Sequence, residues 1–158
     1  MQSITIRRAS SEDLAHLSHL WHEKTLLQNQ SDHRFQLMPD APLRWLLSAR
    51  EWLTQPQCAI WVAASDEALV GYLVAWVKPS APGLLPEKMG VVTDMTIAIH
   101  DPQSSGTARL LLQVAQAWMR EQNITVMTAS IPHRQVVEQA FWASLGATRW
   151  EDTLWLKL

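Results

Sequence analysis

Apolar and polar side chains alternate with period two along Ile4-Thr5-Ile6-Arg7, the pattern of a strand covered on one face. Ser10-Ser11-Glu12-Asp13 then reads as a helix start, a hydroxyl cap with an acidic residue three positions on. Leu14, Leu17, Leu20 and Trp21 recur at three- and four-residue spacing and predict a helix with one apolar face. His16, His19 and His22 fall on another side of it. Residues 28–40 are polar and aperiodic and predict a connecting loop. Asp40-Ala41-Pro42 opens a second helix, since proline is well tolerated in a first turn. Trp45, Leu46, Ala49, Trp52 and Leu53 form its stripe, which stops near Gln55-Pro56.

The pattern then changes period. Two strand-like runs, Ala59–Ala64 and Leu69–Val77, flank the polar Ser65-Asp66-Glu67 and predict a hairpin. Pro79, Pro82, Gly83 and Pro86 mark residues 78–88 as a loop. Val91–Ile99 is a further strand, ended by His100-Asp101-Pro102. From Thr107 to Gln122, Leu110, Leu111, Val114, Ala115, Trp118 and Met119 repeat at helical spacing, the strongest helix signal in the chain. Ile124–Ile131 reads as a strand, Arg134–Leu145 as a helix stopped by Gly146, and Arg149–Leu158 as a closing strand. A strand–helix–strand unit implies a parallel pair with a right-handed crossover, and the hairpin implies antiparallel strands before it. The expected fold is a mixed α/β domain spanning residues 1–158.

Composition narrows the function classes. A chain of 158 residues, 47% apolar and 18% charged, has enough apolar material for a sizeable core. A net charge of −2 gives no sign of a nucleic-acid partner. No apolar run approaches the ~20 residues of a membrane span, and the N-terminus lacks a signal-peptide core, so a cytoplasmic protein is expected. A single cysteine, Cys58, rules out an internal disulfide framework and reads as a small buried side chain. His16, His19 and His22, with Glu12 and Glu23, spread over successive helical turns that cannot easily converge on one ion, so no metal is expected. The unusual entry is aromatic, with nine tryptophans and a single tyrosine, Tyr72. Trp45, Trp52, Trp61 and Trp76 stand at apolar positions, as core or as a substrate wall.

The chemically informative stretch runs from Asp94 to Arg109: strand, tight turn, then helix, with small residues in the turn. The first amides of a helix have no internal partners and lie at its positive end, so small side chains there let an anion reach the backbone. Ser104 and Ser105 add hydroxyl donors and Arg109 a formal charge. The same residues equally suit a turn glycine followed by capping serines.

The element order, and Gln103-Ser104-Ser105-Gly106-Thr107-Ala108 within it, resembles the GNAT superfamily of acetyl-coenzyme A-dependent N-acetyltransferases. Its signature Gln/Arg-x-x-Gly-x-Gly/Ala lies between the fourth strand and the next helix. Ala140-Phe141-Trp142-Ala143-Ser144-Leu145-Gly146-Ala147 is similar to the family's Phe-Tyr-x-x-Leu-Gly-Phe segment, and the likeness extends over Ile4 to Leu158.

The resemblance implies a mostly antiparallel mixed sheet with helices on both faces, whose parallel fourth and fifth strands splay apart. In that gap main-chain groups of Ile97, Ala98 and Ile99 would pair with the pantetheine arm of acetyl-coenzyme A. The turn from Gln103 through Ser104, Ser105, Gly106, Thr107 and Ala108, with Arg109, would hold its pyrophosphate. An amine, on a small molecule or an exposed amino group, would attack the thioester directly. Asp94 stands where many relatives carry the acidic residue that deprotonates the amine. Its other reading is a strand carboxylate facing solvent or a cation.

His133, just past the fifth strand, is a second candidate base, or a loop residue capping the last helix. His100 reads as a solvent- or phosphate-side residue. Two departures stand out: Trp142 replaces the tyrosine that often protonates the leaving thiolate, and the asparagine after the fifth strand is absent, with Gln135 or His133 in its neighbourhood. The first two helices and the 78–88 loop would border the acceptor, where aromatic walls suit an apolar or cationic amine. Pairing of strands or helices between copies is frequent in the family, so a homodimer is one expected assembly. The alternative is a domain of the same fold that binds acyl-coenzyme A or another ligand without turning it over.

Overall fold

The computed structural model describes residues 3–66 and 68–158. Glu67 of the expected hairpin turn, and Met1 and Gln2, lie outside the described residues. Strands β1 (Thr5–Arg8), β2 (Cys58–Ala64), β3 (Leu69–Pro79), β4 (Lys88–Ile97) and β5 (Met127–Ala129) form one sheet in the order β1-β2-β3-β4-β5. The first three pairings are antiparallel and β4–β5 is parallel. Helices α1 (Leu14–Ser31), α2 (Ala41–Trp52), α3 (Ser104–Glu121) and α4 (Val136–Ser144) cover the sheet. The mixed α/β fold expected from the sequence is the one observed.

Alternation along the strands sends their side chains to two cores. On one face Ile60, Val62, Tyr72 and Val74 pack with Leu14, Leu17 and Trp45 of α1 and α2. On the other, Trp61, Leu73, Ala75 and Val92 pack with Leu111, Ala115 and Met119 of α3. Gly90 of β4 is required where α3 crosses: a Cβ there would stand 2.3 Å from the Met119 sulfur. The entry to α1 is set by Asp13, which accepts from the Ser10 amide at 2.8 Å and from Arg7 at 2.7 and 2.8 Å. The Arg7 guanidinium, with the Ser10 donors, holds the Asp13 carboxyl at about 2.

Three expectations are corrected. The first helix runs on to Ser31, absorbing the start of the polar stretch assigned to a loop; Thr25 and Gln28 are buried there despite their polarity. The fifth strand is three residues, Met127–Ala129, rather than 124–131, because β4 offers it only Gly90–Val92 as partners. Arg149–Leu158 forms no strand in this chain, although its alternation is strand-like. It lies exposed, with no main-chain partner among the described residues.

Among the described residues, no helix is long and apolar enough to cross a membrane. Nor do the described His, Cys, Asp and Glu side chains form any group of three or more able to hold a metal ion.

Candidate active site

The parallel ladder stops at Val92↔Ala129, and β4 continues five residues further to Ile97. A bulge at Thr93, passed over in the β3–β4 register between Val74↔Asp94 and Ala75↔Val92, reverses the sense in which β4 residues face. Ala98 donates its amide to Val70 O at 2.8 Å, so Ala98 is turned toward β3. By alternation Met95 and Ile97 turn their main-chain groups to the open side. The gap left by β5 is a cleft of about 510 Å³, lined by Val92–Met95 of β4, Ala129–Pro132 of β5 and its loop, and Glu138 and Trp142 of α4. Ile97 thus borders the opening. Ala98 is occupied on both main-chain groups, its carbonyl accepting from Asp101 N at 3.0 Å, and Ile99 is 53% exposed past the strand end.

The turn into α3 is shaped by Asp101. Its carboxylate accepts from the Gln103 amide at 2.9 Å and from the Thr107 hydroxyl at 2.7 Å. Ser104 N reaches Asp101 O at 3.3 Å and Thr107 N reaches Gln103 O at 2.9 Å, while the Ser105 and Gly106 amides find no acceptor among the described residues. Two unpaired N–H groups therefore stand at the positive end of an 18-residue helix. A Cβ built on Gly106 meets nothing within 4 Å, so the space above these amides is open. Thr107 and Ala108 are buried beneath them. Arg109 leans toward α4, donating to Ser144 Oγ at 3.2 Å with its guanidinium 5.8 Å from the Phe141 ring centroid.

One part of the cleft centres on Asp94. Tyr72 donates to its Oδ2 at 2.5 Å, Thr96 to its Oδ1 at 3.1 Å, and Lys24 stands 3.5 Å away. Tyr72 is fully buried; burial, and after it the Asp94 charge, push its phenol well above the ordinary range, so it stays protonated and remains a donor. The Lys24 Nζ also donates to Met95 O at 2.8 Å and lies 3.5 Å from Glu138 Oε1, joining α1, β4 and α4 across the cleft mouth. Trp142 points its indole Nε1 into the interior with no hydrogen-bond partner.

A run of aromatic rings leads up to this point. Trp21 stacks on Trp45 at 6.2 Å, Trp45 meets Trp52 at 5.9 Å and Tyr72 at 5.5 Å, and Trp52 meets Trp76 at 6.2 Å. Trp21, Trp45, Trp52 and Trp76 line the cleft. Behind three of them a second hollow of about 320 Å³ opens toward Leu37 and Met38. Trp61 belongs instead to the opposite core, against Trp118.

Of the residues singled out from the sequence, Asp94 lines the cleft, whereas residues 103–109 form the turn into α3 and are not among its lining residues. His133 is exposed, its carbonyl accepting from Gln139 Nε2, and it is not among the cleft-lining residues. Gln135 begins α4 and reaches Ser31 Oγ at 3.5 Å, beside Arg134, which donates to Ser31 O at 2.9 Å. That pair ties the β5–α4 loop to the end of α1. Reading the sequence missed Lys24 and Glu138, which meet Asp94 from positions far away in the chain. A weak signal existed for Glu138: it sits four residues before Trp142, on one helix face. Cys58 is buried, as expected, and its thiol is pushed up to about 12 by that burial.

A model of the acetyltransferase (GNAT) family matches residues 18–147. No curated protein sequence matches the chain. Among solved structures, a tetramutant of the BH1408 protein from Bacillus halodurans is similar in fold, with a TM-score of 0.82 at 15% identity, covering 98% of this chain and 99% of that one. The aminoglycoside 6'-N-acetyltransferase AAC(6')-IG from Acinetobacter haemolyticus gives 0.76 at 19% identity, covering 98% and 97%. A protein from Clostridium acetobutylicum, described as a predicted acetyltransferase and solved with acetyl-coenzyme A, gives 0.78 at 14% identity, covering 98% and 96%.

Proposed function

The chain belongs to the GNAT acetyltransferase family, and on that premise we propose that it moves an acetyl group from acetyl-coenzyme A to a primary amine borne on an apolar or aromatic body. The observation that carries this reading is the opening of β4 from β5 after Val92, followed along the chain by two amides at the start of α3 with no acceptor among the described residues. Acetyl-coenzyme A supplies an acetyl group activated as a thioester.

The chain's own residues divide the work along the cleft. The Ser105 and Gly106 amides, the α3 dipole and Arg109 hold the pyrophosphate, with the Ser104 and Ser105 hydroxyls beside them. Gln103, Thr107 and Ala108 give the turn its shape through Asp101 and the packing beneath. Met95 and Ile97 offer main-chain groups to the pantetheine amides. Asp94 takes the proton from the amine, held in place by Tyr72 and Thr96. Glu138, 3.5 Å from Lys24, takes the place of His133 as the second candidate base. Trp142 turns its indole N–H into the interior and is no acid, so the thiolate is protonated by water. Trp21, Trp45, Trp52 and Trp76 hold the body of the acceptor, where an aromatic face also suits a cation.

Two measurements test this. Isothermal titration with acetyl-coenzyme A is expected to show binding that Gly106→Val abolishes, because the added side chain fills the open space over the amides. Thiol release with a panel of arylalkylamines and alkylamines is expected to fall at least tenfold in Asp94→Asn, with affinity for acetyl-coenzyme A unchanged. Absence of heat at millimolar ligand overturns the reading. One observation favours a second reading: the Lys24 ammonium already stands between Asp94 and Glu138, where an acceptor amine would be expected. Binding without turnover on any amine would make the chain an acyl-coenzyme A-binding domain.

A further inference from the structure

Four residues of α1 line the cleft, Trp21, Lys24, Thr25 and Gln28, at the three- and four-residue spacing of one helix side. Among them Lys24 alone carries an amine. The chain has four lysines, and the place of this nitrogen sets it apart. Its side chain is 22% exposed, whereas Lys78, Lys88 and Lys157 are open to solvent. Its Nζ donates to Met95 O at 2.8 Å and lies 3.5 Å from both Asp94 Oδ1 and Glu138 Oε1. Lys78 also lines the cleft, but its Nζ rests 5.6 Å from the Trp76 ring centroid and pairs with no carboxylate among the described residues. Lys88 and Lys157 are not among the lining residues.

Two carboxylates alone would make Lys24 a charge bridge between α1, β4 and α4. The bond to Met95 O adds a position. It sets the nitrogen against β4 beyond Val92, the last residue of that strand to pair with β5. A primary amine of the chain thus stands beside the carboxylate assigned as base, on the stretch of β4 that the gap leaves open.

We propose that Lys24 is itself an acetyl acceptor, modified by the acetyl-coenzyme A that the same chain binds. The inference rests on the acetyl-transfer reading and adds an internal substrate to it. The Lys24 ammonium passes one proton to Asp94, across a 3.5 Å separation that rotation of the lysine stem closes or one water spans. The freed lone pair on Nζ attacks the thioester carbonyl and the C–S bond breaks. The second proton leaves Nζ as the amide forms, and water protonates the departing thiolate, so one proton in all is released to solvent. An N–C bond replaces an S–C bond with no change of oxidation state.

An amine held within the molecule needs no binding step of its own. The reaction is therefore first-order in the chain and stops after one turnover. Its product is neutral. It withdraws the cation that Asp94 and Glu138 share, and with it the ion pair between α1 and α4.

Intact-mass spectrometry of the full chain, incubated with acetyl-coenzyme A and no added amine, tests this. A gain of one acetyl group, about 42 Da, is expected, mapped by peptide digestion to Lys24, at a rate independent of protein concentration. Lys24→Arg is expected to lose that gain and still bind acetyl-coenzyme A by isothermal titration. Asp94→Asn keeps the acceptor lysine and is expected to slow the gain roughly tenfold or more. Acetyl groups spread evenly over Lys24, Lys78, Lys88 and Lys157 overturn the proposal, as does a rate that rises with protein concentration. A gain that survives in Lys24→Arg does the same. A chain that binds acetyl-coenzyme A but gains no mass overturns this proposal and leaves the acetyl-transfer reading to the amine panel. A chain that binds none overturns both.

Discussion

The two walls of the cleft are built to different standards. On the α1–α2 side, Tyr72, Leu14, Leu17 and Val74 are almost completely buried, and the tryptophan rings interlock behind them. On the β5–α4 side no residue of α4 is buried, and β5 is three residues long. That wall is held by a few polar clips: Arg134 to the end of α1, Arg109 to Ser144, and Lys24 to Glu138. Phe141 and Trp142 add partial packing against the α3 core. The α1–α2 wall is preformed by interlocked buried side chains, whereas the β5–α4 wall has no buried residue on α4 to hold it. Local stability varies in this way wherever buried apolar contact is unequally shared.

Three perturbations break or sharpen that contrast. The largest is Leu17→Ala, on α1 within the α1–α2 wall and fully buried, expected to cost about 2–5 kcal/mol in denaturant unfolding. Its counterpart Val137→Ala, 80% exposed on α4, is expected to stay within about 0.5 kcal/mol. Equal effects at the two sites would erase the distinction. Next is Tyr72→Phe, which keeps the ring contact with Trp45 and removes the donor to Asp94. A loss of about 1–2 kcal/mol is expected, with a several-fold fall in turnover and a shifted pH profile; an unshifted profile would reduce Tyr72 to packing alone.

The smallest effect concerns acid. Asp13 has a folded value below its unfolded one, so its stabilisation is complete above about pH 4 and is lost as pH falls toward 2. With Arg7 partly exposed the loss is about 1 kcal/mol. It is expected to vanish from acid titrations of Arg7→Gln.

Much of this was legible because it is written locally. Period two and period 3.6 located the strands and helices, and Ser10 with Asp13 and Pro42 marked where α1 and α2 begin. The small residues from Ser104 to Gly106 announced a helix start open to an anion, and the two unpaired amides stand there. What local reading missed depends on contacts between distant residues. Lys24 reaches Asp94 across 70 positions, and no spacing rule announces such a meeting. The bulge at Thr93 decides which β4 residues face the gap, exchanging Ala98 for Met95, and nothing in the alternation of Val91–Ile99 marks it. The closing segment shows the opposite failure: its strand pattern is plain, but among the described residues no strand lies beside it.

The run of rings from Trp21 through Trp45 and Trp52 to Trp76 also gives the molecule an optical signature. Indoles about 6 Å apart couple their electronic transitions, so these tryptophans contribute an intense near-ultraviolet circular dichroism band whose sign and size follow their mutual angles. A molecule seated on that wall turns the rings and alters the band. Trp150 and Trp155, out in water, emit at long wavelength and are open to quenching by iodide. Two spectra of the unlabelled protein therefore read the tryptophan wall and the closing segment separately.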